Sequence, residues 1–217
     1  MGVARQEYIP ALRYDVLTPF FDPFATALLR IAPFQRRLVE LAGIEAGHRV
    51  LDLGCGAATL AIMVKRMRPS AEVTGLDGDP KILEIARSKV TKLGLDIRLD
   101  EAMAFALPYP NESLDRVVSS MVMHHLTSEN KLRTCREVAR VLRRGGELHV
   151  ADFGVPQTAG MRLLARIGMR FEETKDLVAG LLPDIFRTAG LKDVRVATRY
   201  KTPFGSISLY HARKPET

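Results

Sequence analysis

The chain has no tryptophan and only two cysteines, Cys55 and Cys135, among its 217 residues. Two distant thiols exclude a disulfide framework and any zinc site built from four cysteines. Such sparse thiol use suits a reducing compartment. Long apolar runs are missing too. The most apolar stretch, Val16 to Phe34, is broken by Asp22, Arg30, Pro19, Pro23 and Pro33, whereas a membrane span needs about 20 apolar residues in a row. The N-terminal MGVARQEYIPALRYD lacks the apolar centre of a signal peptide. The expectation is a soluble, cytoplasmic protein with no membrane span.

What is present describes an ordinary globular chain, 47% hydrophobic and 26% charged. At roughly 150 residues per domain, its length corresponds to one domain, residues 1–217. The net charge of +7 raises the prospect of an anionic partner without choosing among nucleic acid, membrane surface and phosphorylated substrate. No internal repeat is visible.

From about residue 47, short apolar strands alternate with helical spacing. Arg49 to Leu53 reads as a strand stopped by Gly54, followed by a helix through Leu60, Val64 and Met67. Glu72 to Asp77 is a second strand. Asp79-Pro80 then starts a helix, with a capping carboxylate and a proline at the first helical position; Ile82, Ile85, Ala86 and Leu93 would form its apolar face until Gly94 ends it. A strand near Ile97, a turn at Pro110 to Ser113 and a strand from Arg116 to Val122 come next. The following helix, about Ser128 to Leu142, would bury Leu132, Cys135, Val138, Ala139 and Leu142. Gly145-Gly146 turns the chain into the strand Glu147 to Phe153. Strands separated by helices predict a parallel sheet covered on both faces. Val194 to Tyr200 and Ser206 to Ala212 read as a terminal antiparallel hairpin. Residues 1–46 and 154–175 do not fit the alternation, and their aromatic and apolar content suggests lids over a site at the carboxyl ends of the strands. Plain helices packed on the sheet would account for the same content.

The chemistry concentrates after the first strand. In Val50 to Thr59 (VLDLGCGAAT), Gly54 and Gly56 permit a tight turn and close approach of a ligand to a helix N-terminus. Thr59 stands where a dinucleotide-binding loop would have its third glycine. Asp52 precedes the turn, where its charge would repel a pyrophosphate but suit an ammonium or sulfonium. Asp77, 23 residues after Gly54, ends the second strand, where an acid can accept both ribose hydroxyls. A nucleoside with a cationic amino acid tail satisfies both acids, and S-adenosylmethionine fits that description.

The ordered segments DLGCGAAT, GLDGDP, LPYPNESLDRVVSSMVMHHL and VLRRGGELHVADF resemble the successive motifs of class I S-adenosylmethionine-dependent methyltransferases. Within them, the chain is most similar to the ubiquinone/menaquinone-biosynthesis group of small-molecule enzymes. The resemblance covers about residues 47–153. It implies an α/β, Rossmann-like, seven-stranded, mostly parallel sheet in the order 3-2-1-4-5-7-6, with the last strand antiparallel. Residues 1–46 would be an N-terminal helical lid, 47–153 the cofactor-binding core, 154–175 a substrate cap, and 176–217 the final helix and hairpin.

The resemblance also implies that Asp52, Gly54 and Gly56 hold the methionine part of the cofactor, with Cys55 inside the loop, and that Asp77 holds the ribose. Gly78 and Asp79 would lie beside the ribose or adenine. Met103-Ala104 stands where the family commonly has an acid and an alanine facing the adenine amino group, with Glu101 as a second possible contact. The backbone of Met121 would face the methyl donor. Tyr14 is a candidate partner for the cofactor carboxylate, and Phe21 a candidate cover for the acceptor. His124 and His125, after the fourth strand, are candidate general bases. In extended chain they would point opposite ways, so one at most faces the site. No further clustered ligands accompany them, so no metal is expected there. Cys55 reads as packing rather than a nucleophile.

The predicted activity is methyl transfer to a small, hydrophobic, quinone-, polyketide- or lipid-like acceptor, with no specific nucleic-acid partner. Arg133, Arg136, Arg140, Arg143 and Arg144 on one helix flank leave an RNA methyltransferase as an alternative, although Glu129 and Glu137 interrupt the flank. A non-catalytic cofactor-binding subunit is a further possibility. A nicotinamide-dependent oxidoreductase would have to tolerate Asp52 and the missing third glycine.

Overall fold

The structure is a computed structural model that describes residues 31–158, 161, 172–202 and 205–217. Seven strands form one sheet in the order β3-β2-β1-β4-β5-β7-β6. They are β1 (Arg49–Leu53), β2 (Glu72–Asp77), β3 (Ile97–Glu101), β4 (Leu114–Ser120), β5 (Leu142–Phe153), β6 (Lys192–Thr202) and β7 (Gly205–Arg213). The first five are parallel, and β7 runs antiparallel to both β5 and β6. Order and reversal agree with the expectation. Among the described residues no helix is long and apolar enough to cross a membrane.

Successive strand residues feed opposite faces, as the period of two requires. Val50, Val73, Val118 and Ala151 join one buried cluster with α1 (Ile31–Leu41), α2 (Thr59–Met67) and α3 (Pro80–Lys92). Leu51, Leu76, Val117 and Val150 join the other with α4 (Ser128–Val141), α5 (Glu172–Val178) and α6 (Leu182–Thr188). Helices on each face bury both sides of the central strands, which therefore read as continuous apolar runs.

Several boundaries and faces differ from the sequence reading. β4 stops at Ser120 because Met121 takes a left-handed backbone with φ 61. α4 passes straight into β5 at Leu142, so Gly145-Gly146 lies within the strand rather than before it. Asp79 does cap α3, accepting from the Lys81 amide, but the buried stripe is Leu83, Ala86 and Val90, while Ile85 and Leu93 face water. Apolar residues lie around much of that helix, and the sheet selected the i, i+3, i+7 set. In α4 the buried face is Lys131, Thr134, Cys135, Val138 and Val141; Cys135, Val138 and Leu142 are buried as expected, but a rotation toward Lys131 leaves Leu132 and Ala139 half-buried.

The rotation is possible because the fully buried Lys131 is satisfied. Its ammonium donates to Leu126 O at 2.7 Å and to Asp176 Oδ2 at 3.3 Å, and the Ser128 hydroxyl donates to the same carboxylate oxygen at 2.6 Å. This pairing ties α5 to the segment that follows β4. The arginine flank is also reassigned, since Arg143 and Arg144 lie on β5. Arg140 is engaged by Glu137, Leu107 O, Tyr109 O and Asn111, Arg143 pairs with Asp115, and Arg133 covers the Phe105 ring. The expected lid and cap rest largely on residues 1–30 and 162–171, Tyr14 and Phe21 among them, and these lie outside the described residues.

Removing one partner of a buried ion pair leaves the other charge uncompensated, at a cost of about 3–5 kcal/mol. Lys131→Met is therefore expected to destabilise the chain by about that amount in urea unfolding followed by circular dichroism. Ser128→Ala, which removes one hydrogen bond to Asp176, should cost only about 1 kcal/mol.

Candidate active site

The turn after β1 is built on two glycines with different duties. Gly54 has φ +70, and a Cβ there would overlap the Val122 side chain, so the position demands glycine both conformationally and sterically. The amides of Gly54 and Cys55 both donate to Leu76 O, at 2.8 and 2.9 Å, which fastens the loop to β2. Gly56 instead faces open space, with nothing within 4 Å of its would-be Cβ. Its amide donates to Asp77 Oδ2 at 2.8 Å, and the Asp79 amide donates to Asp77 Oδ1 at 3.0 Å. The Asp77 carboxylate is thus locked at the carboxyl end of β2 beside an open glycine surface.

Asp52 lies beneath the loop, 1% exposed. Its Oδ2 accepts from the Ala61 amide at 2.9 Å. The α2 N-cap, Ala58, has no side-chain cap of its own, so Asp52 supplies one from the strand. Burial raises the Asp52 pKa to about 7, with the Ala61 amide opposing and the Asp77 charge adding to the rise. Burial also raises Asp77, against the amides of Gly56 and Asp79. Among the described residues no lysine or arginine forms an ion pair with either acid. Two carboxyls raised by burial and lacking a cation form a pocket suited to a ligand that brings positive charge. The sulfonium and ammonium of S-adenosylmethionine match that donor set.

The predicted adenine side also comes together. A Cβ on Gly78 would lie 2.7 Å from Met103 Sδ, so the thioether packs directly on the glycine, with the half-buried Ala104 next to it. Glu101, the second possible contact, is exposed at the end of β3, in register with Asp77. Cys55 is nearly buried, and burial together with the two acids pushes its thiol up. A Cβ on Gly75 would come within 2.9 Å of Cys55 Sγ. These contacts fit packing and no nucleophilic role.

On the acceptor side, the Met121 amide donates to Ala151 O at 2.8 Å, which holds the left-handed residue where β4 and β5 end. Met123–His125 then form a 3₁₀ turn rather than extended chain. The two histidine rings therefore do not diverge, and their centroids lie 4.0 Å apart. His124 Nδ1 is 2.8 Å from Asp152 Oδ1, and its ring meets Phe153 edge-on at 5.0 Å. His125 is the outer, exposed ring; desolvation by the protein around it, with the neighbouring His124, lowers its pKa to about 4.

Sequence reasoning missed Asp152. It is fully buried near the end of β5, where its Oδ2 accepts from the Met123 amide and its Oδ1 from the Phe153 amide, both at 2.7 Å. Burial alone would raise it, but His124 and the amide outweigh burial and hold the carboxyl below its usual range. The available signal was an acid in the apolar last stretch of a strand, VADF, where only a strong partner makes a buried charge tolerable.

Residues 50–146 match the family described as "Methyltransferase domain". The demethylmenaquinone methyltransferase of Thermus thermophilus is 36% identical over 176 residues, which cover 81% of this chain and 76% of that protein. Two solved structures share the fold. A SAM-dependent methyltransferase from Aquifex aeolicus has a TM-score of 0.63 at 20% identity, with 91% of this chain and 96% of that one covered. The [4+2]-cyclase SpnF has a TM-score of 0.75 at 21% identity, with 94% and 95% covered.

Because the folded Asp52 pKa lies above its value in the unfolded chain, ionising it costs stability as pH rises from about 4 to about 7. Asp52→Asn should therefore raise the unfolding free energy of the ligand-free protein by about 2–4 kcal/mol at pH 8 and not at pH 4. The same variant should bind S-adenosylmethionine more weakly at pH 8. Thermal unfolding at the two pH values, with and without cofactor, measures both effects.

Proposed function

The chain belongs to the class I S-adenosylmethionine-dependent methyltransferases, near the ubiquinone and menaquinone biosynthesis group, and on that premise we propose that its acceptor is a hydrophobic hydroxylated ring of the quinol type, with His124 as the base and Asp152 as the residue that positions it. The overall activity is methyl transfer to a small molecule, leaving S-adenosylhomocysteine. The observation that carries the finer reading is the His124–Asp152 contact at the carboxyl end of β5. The apolar surroundings support a hydrophobic acceptor, since Met121, Phe153 and Tyr200 pack there against the cluster that contains Phe34. The Thermus relative is named for demethylmenaquinone, an acceptor of this chemistry.

When bound, the cofactor supplies an electrophilic methyl group on a sulfonium. The protein's part is alignment, charge and proton handling. Asp77 holds the nucleoside end, while Gly54, the open face of Gly56 and the Asp52 charge beneath the loop serve the methionine part. Asp152 faces His124 Nδ1, which fixes Nδ1 as the donor and leaves Nε2 as the ring's acceptor. Nε2 takes the hydroxyl proton of the acceptor, and the electron pair passes through the ring to the carbon that gains the methyl. That carbon then gives its own proton to solvent, which restores the acceptor's aromatic ring, and the imidazolium returns the first proton to the oxygen. Asp152 stabilises the imidazolium formed in between, the role a carboxylate plays behind a catalytic histidine. His125 flanks the base, its ring centroid 4.0 Å from that of His124.

The arginine contacts favour a small molecule over RNA, because Arg140, Arg143 and Arg144 bind the protein's own carboxylates. A non-catalytic subunit would bind cofactor without turnover.

The test is incubation with S-adenosylmethionine and a panel of reduced naphthoquinols and benzoquinols, with mass spectrometry for gain of one methyl group. His124→Gln should lower kcat by about 100-fold while S-adenosylhomocysteine affinity stays within about twofold. Asp152→Asn should lower kcat similarly, through the wrong tautomer. Unchanged kcat in His124→Gln would refute the base assignment, and turnover of RNA but no quinol would refute the acceptor.

A further inference from the structure

Away from the transfer site, three metal-ligating side chains meet on the sheet face covered by α1, α2 and α3. Glu147 and His149 are two apart on β5 and so share a face. His211 on β7 stands directly opposite His149 in the antiparallel register. One candidate ligand atom from each of the three lies within 4.8 Å of the others. Glu147 Oε2 is 2.9 Å from His149 Nε2 and 3.3 Å from His211 Nε2. In a tetrahedral zinc site with bonds of about 2.0 Å, neighbouring donors are separated by about 3.3 Å. Both histidines are buried, at 2% and 5% exposure, while Glu147 is half-buried and gives the cluster its access.

The second observation is the tautomer of His211. Its Nδ1 lies 3.1 Å from Asp193 O, where β6 breaks register and Asp193 takes φ 52. That carbonyl accepts only, so Nδ1 must carry the proton. Nε2 then faces a second acceptor, Glu147 Oε2. A neutral ring has one N–H and cannot satisfy both. Either a second proton on the ring or a metal cation between Nε2 and Oε2 resolves the conflict. A backbone carbonyl holding the far nitrogen of an imidazole is also the usual outer support of a metal-binding histidine. Arg116 Nε stands 4.0 Å from Glu147 Oε2, but its guanidinium donates to Ala42 O and Asp115 O at 2.7 and 2.9 Å. It tempers the site's negative charge without occupying it.

We propose that Glu147, His149 and His211 bind one divalent transition metal ion, best matched by Zn²⁺, which clasps β7 to β5. Two imidazoles and a carboxylate suit zinc, cobalt, nickel or copper rather than magnesium or calcium, which take oxygen ligands. The site is structural. Glu147 is about 17 Å along the strand from Asp152 at roughly 3.3 Å per residue, and the two point to opposite faces. The sequence reading assigned no metal anywhere in the chain, and this proposal departs from it, because His149 and His211 meet only when β7 returns beside β5.

The experiment is calorimetric titration of the tag-free, chelator-treated chain with Zn²⁺ alone, and with Mg²⁺, followed by thermal unfolding in each ion. The expected result is one equivalent of Zn²⁺ bound, a rise of several degrees in Tm, and no response to Mg²⁺. Co²⁺ should give the visible absorption of a tetrahedral site. His211→Gln and Glu147→Gln should each weaken Zn²⁺ binding at least tenfold while S-adenosylhomocysteine binding persists, which also reports that the variants fold. If His211→Gln does not fold, the half-buried Glu147→Gln carries the comparison. The proposal is overturned if wild type takes up no Zn²⁺ at about 100 μM, far above the Kd a three-ligand site should have. It is equally overturned if Zn²⁺ binds the folded variants as tightly as wild type, or if Mg²⁺ raises Tm equally.

Discussion

The active end of this protein depends on two carboxyls held at the ends of adjacent parallel strands with no basic partner among the described residues. Asp52 and Asp77 cost the free protein stability, because each is pulled from water and each feels a neighbouring carboxylate. The surrounding structure makes the arrangement tolerable with amides rather than cations. The Ala61 amide holds Asp52, and those of Gly56 and Asp79 hold Asp77. Leu76 O fastens the loop between them by accepting two further amides. On the proposed reading, the positive charge that would complete the site comes from the ligand, which favours a sulfonium over a pyrophosphate. SpnF, whose fold is similar, is described as a [4+2]-cyclase. The sheet alone therefore does not fix the chemistry, which has to be argued from the site.

The acceptor side repeats the logic in reverse. Asp152 is more deeply buried than Asp77, yet its partners supply enough positive potential to keep it ionised. One carboxylate both orders the turn after β4, through the Met123 amide, and presents the His124 ring. Across β5 the alternation of side chains separates two clusters, Asp152 with His124 on one face and Glu147 and His149 with His211 on the other. A single strand thereby carries the carboxylate proposed to position the base near its carboxyl end and the proposed cross-strand metal cluster nearer its start.

Much of this was legible in the sequence because it is local. The glycine turn, the acids at fixed offsets and the Asp79-Pro80 helix start each declare themselves within a few residues. The terminal hairpin is also local, and it fixes the reversal of β7. The readings that failed in whole or in part are those that tertiary contacts decide; Ala86, Cys135, Val138 and Leu142 are buried as expected, but Ile85, Leu93, Leu132 and Ala139 are not. The buried stripes of α3 and α4 each had two acceptable rotations, and in α4 the choice brought Lys131 inside, where Asp176, forty-five positions away, stabilises it. The 3₁₀ turn at His124 and His125 depends on Asp152, and His149 meets His211 only because β7 returns beside β5. Such pairings leave no trace in spacing.

The most direct measurement is a calorimetric titration of the purified chain with S-adenosylhomocysteine and, separately, with NAD, repeated on Asp77→Ala. Two carboxyls near the strand ends, with no basic partner among the described residues, predict that the first binds and the second does not, and that Asp77→Ala weakens the first at least tenfold, about 1.4 kcal/mol. Binding of NAD alone, or S-adenosylhomocysteine affinity indifferent to Asp77, would contradict that role for the two acids.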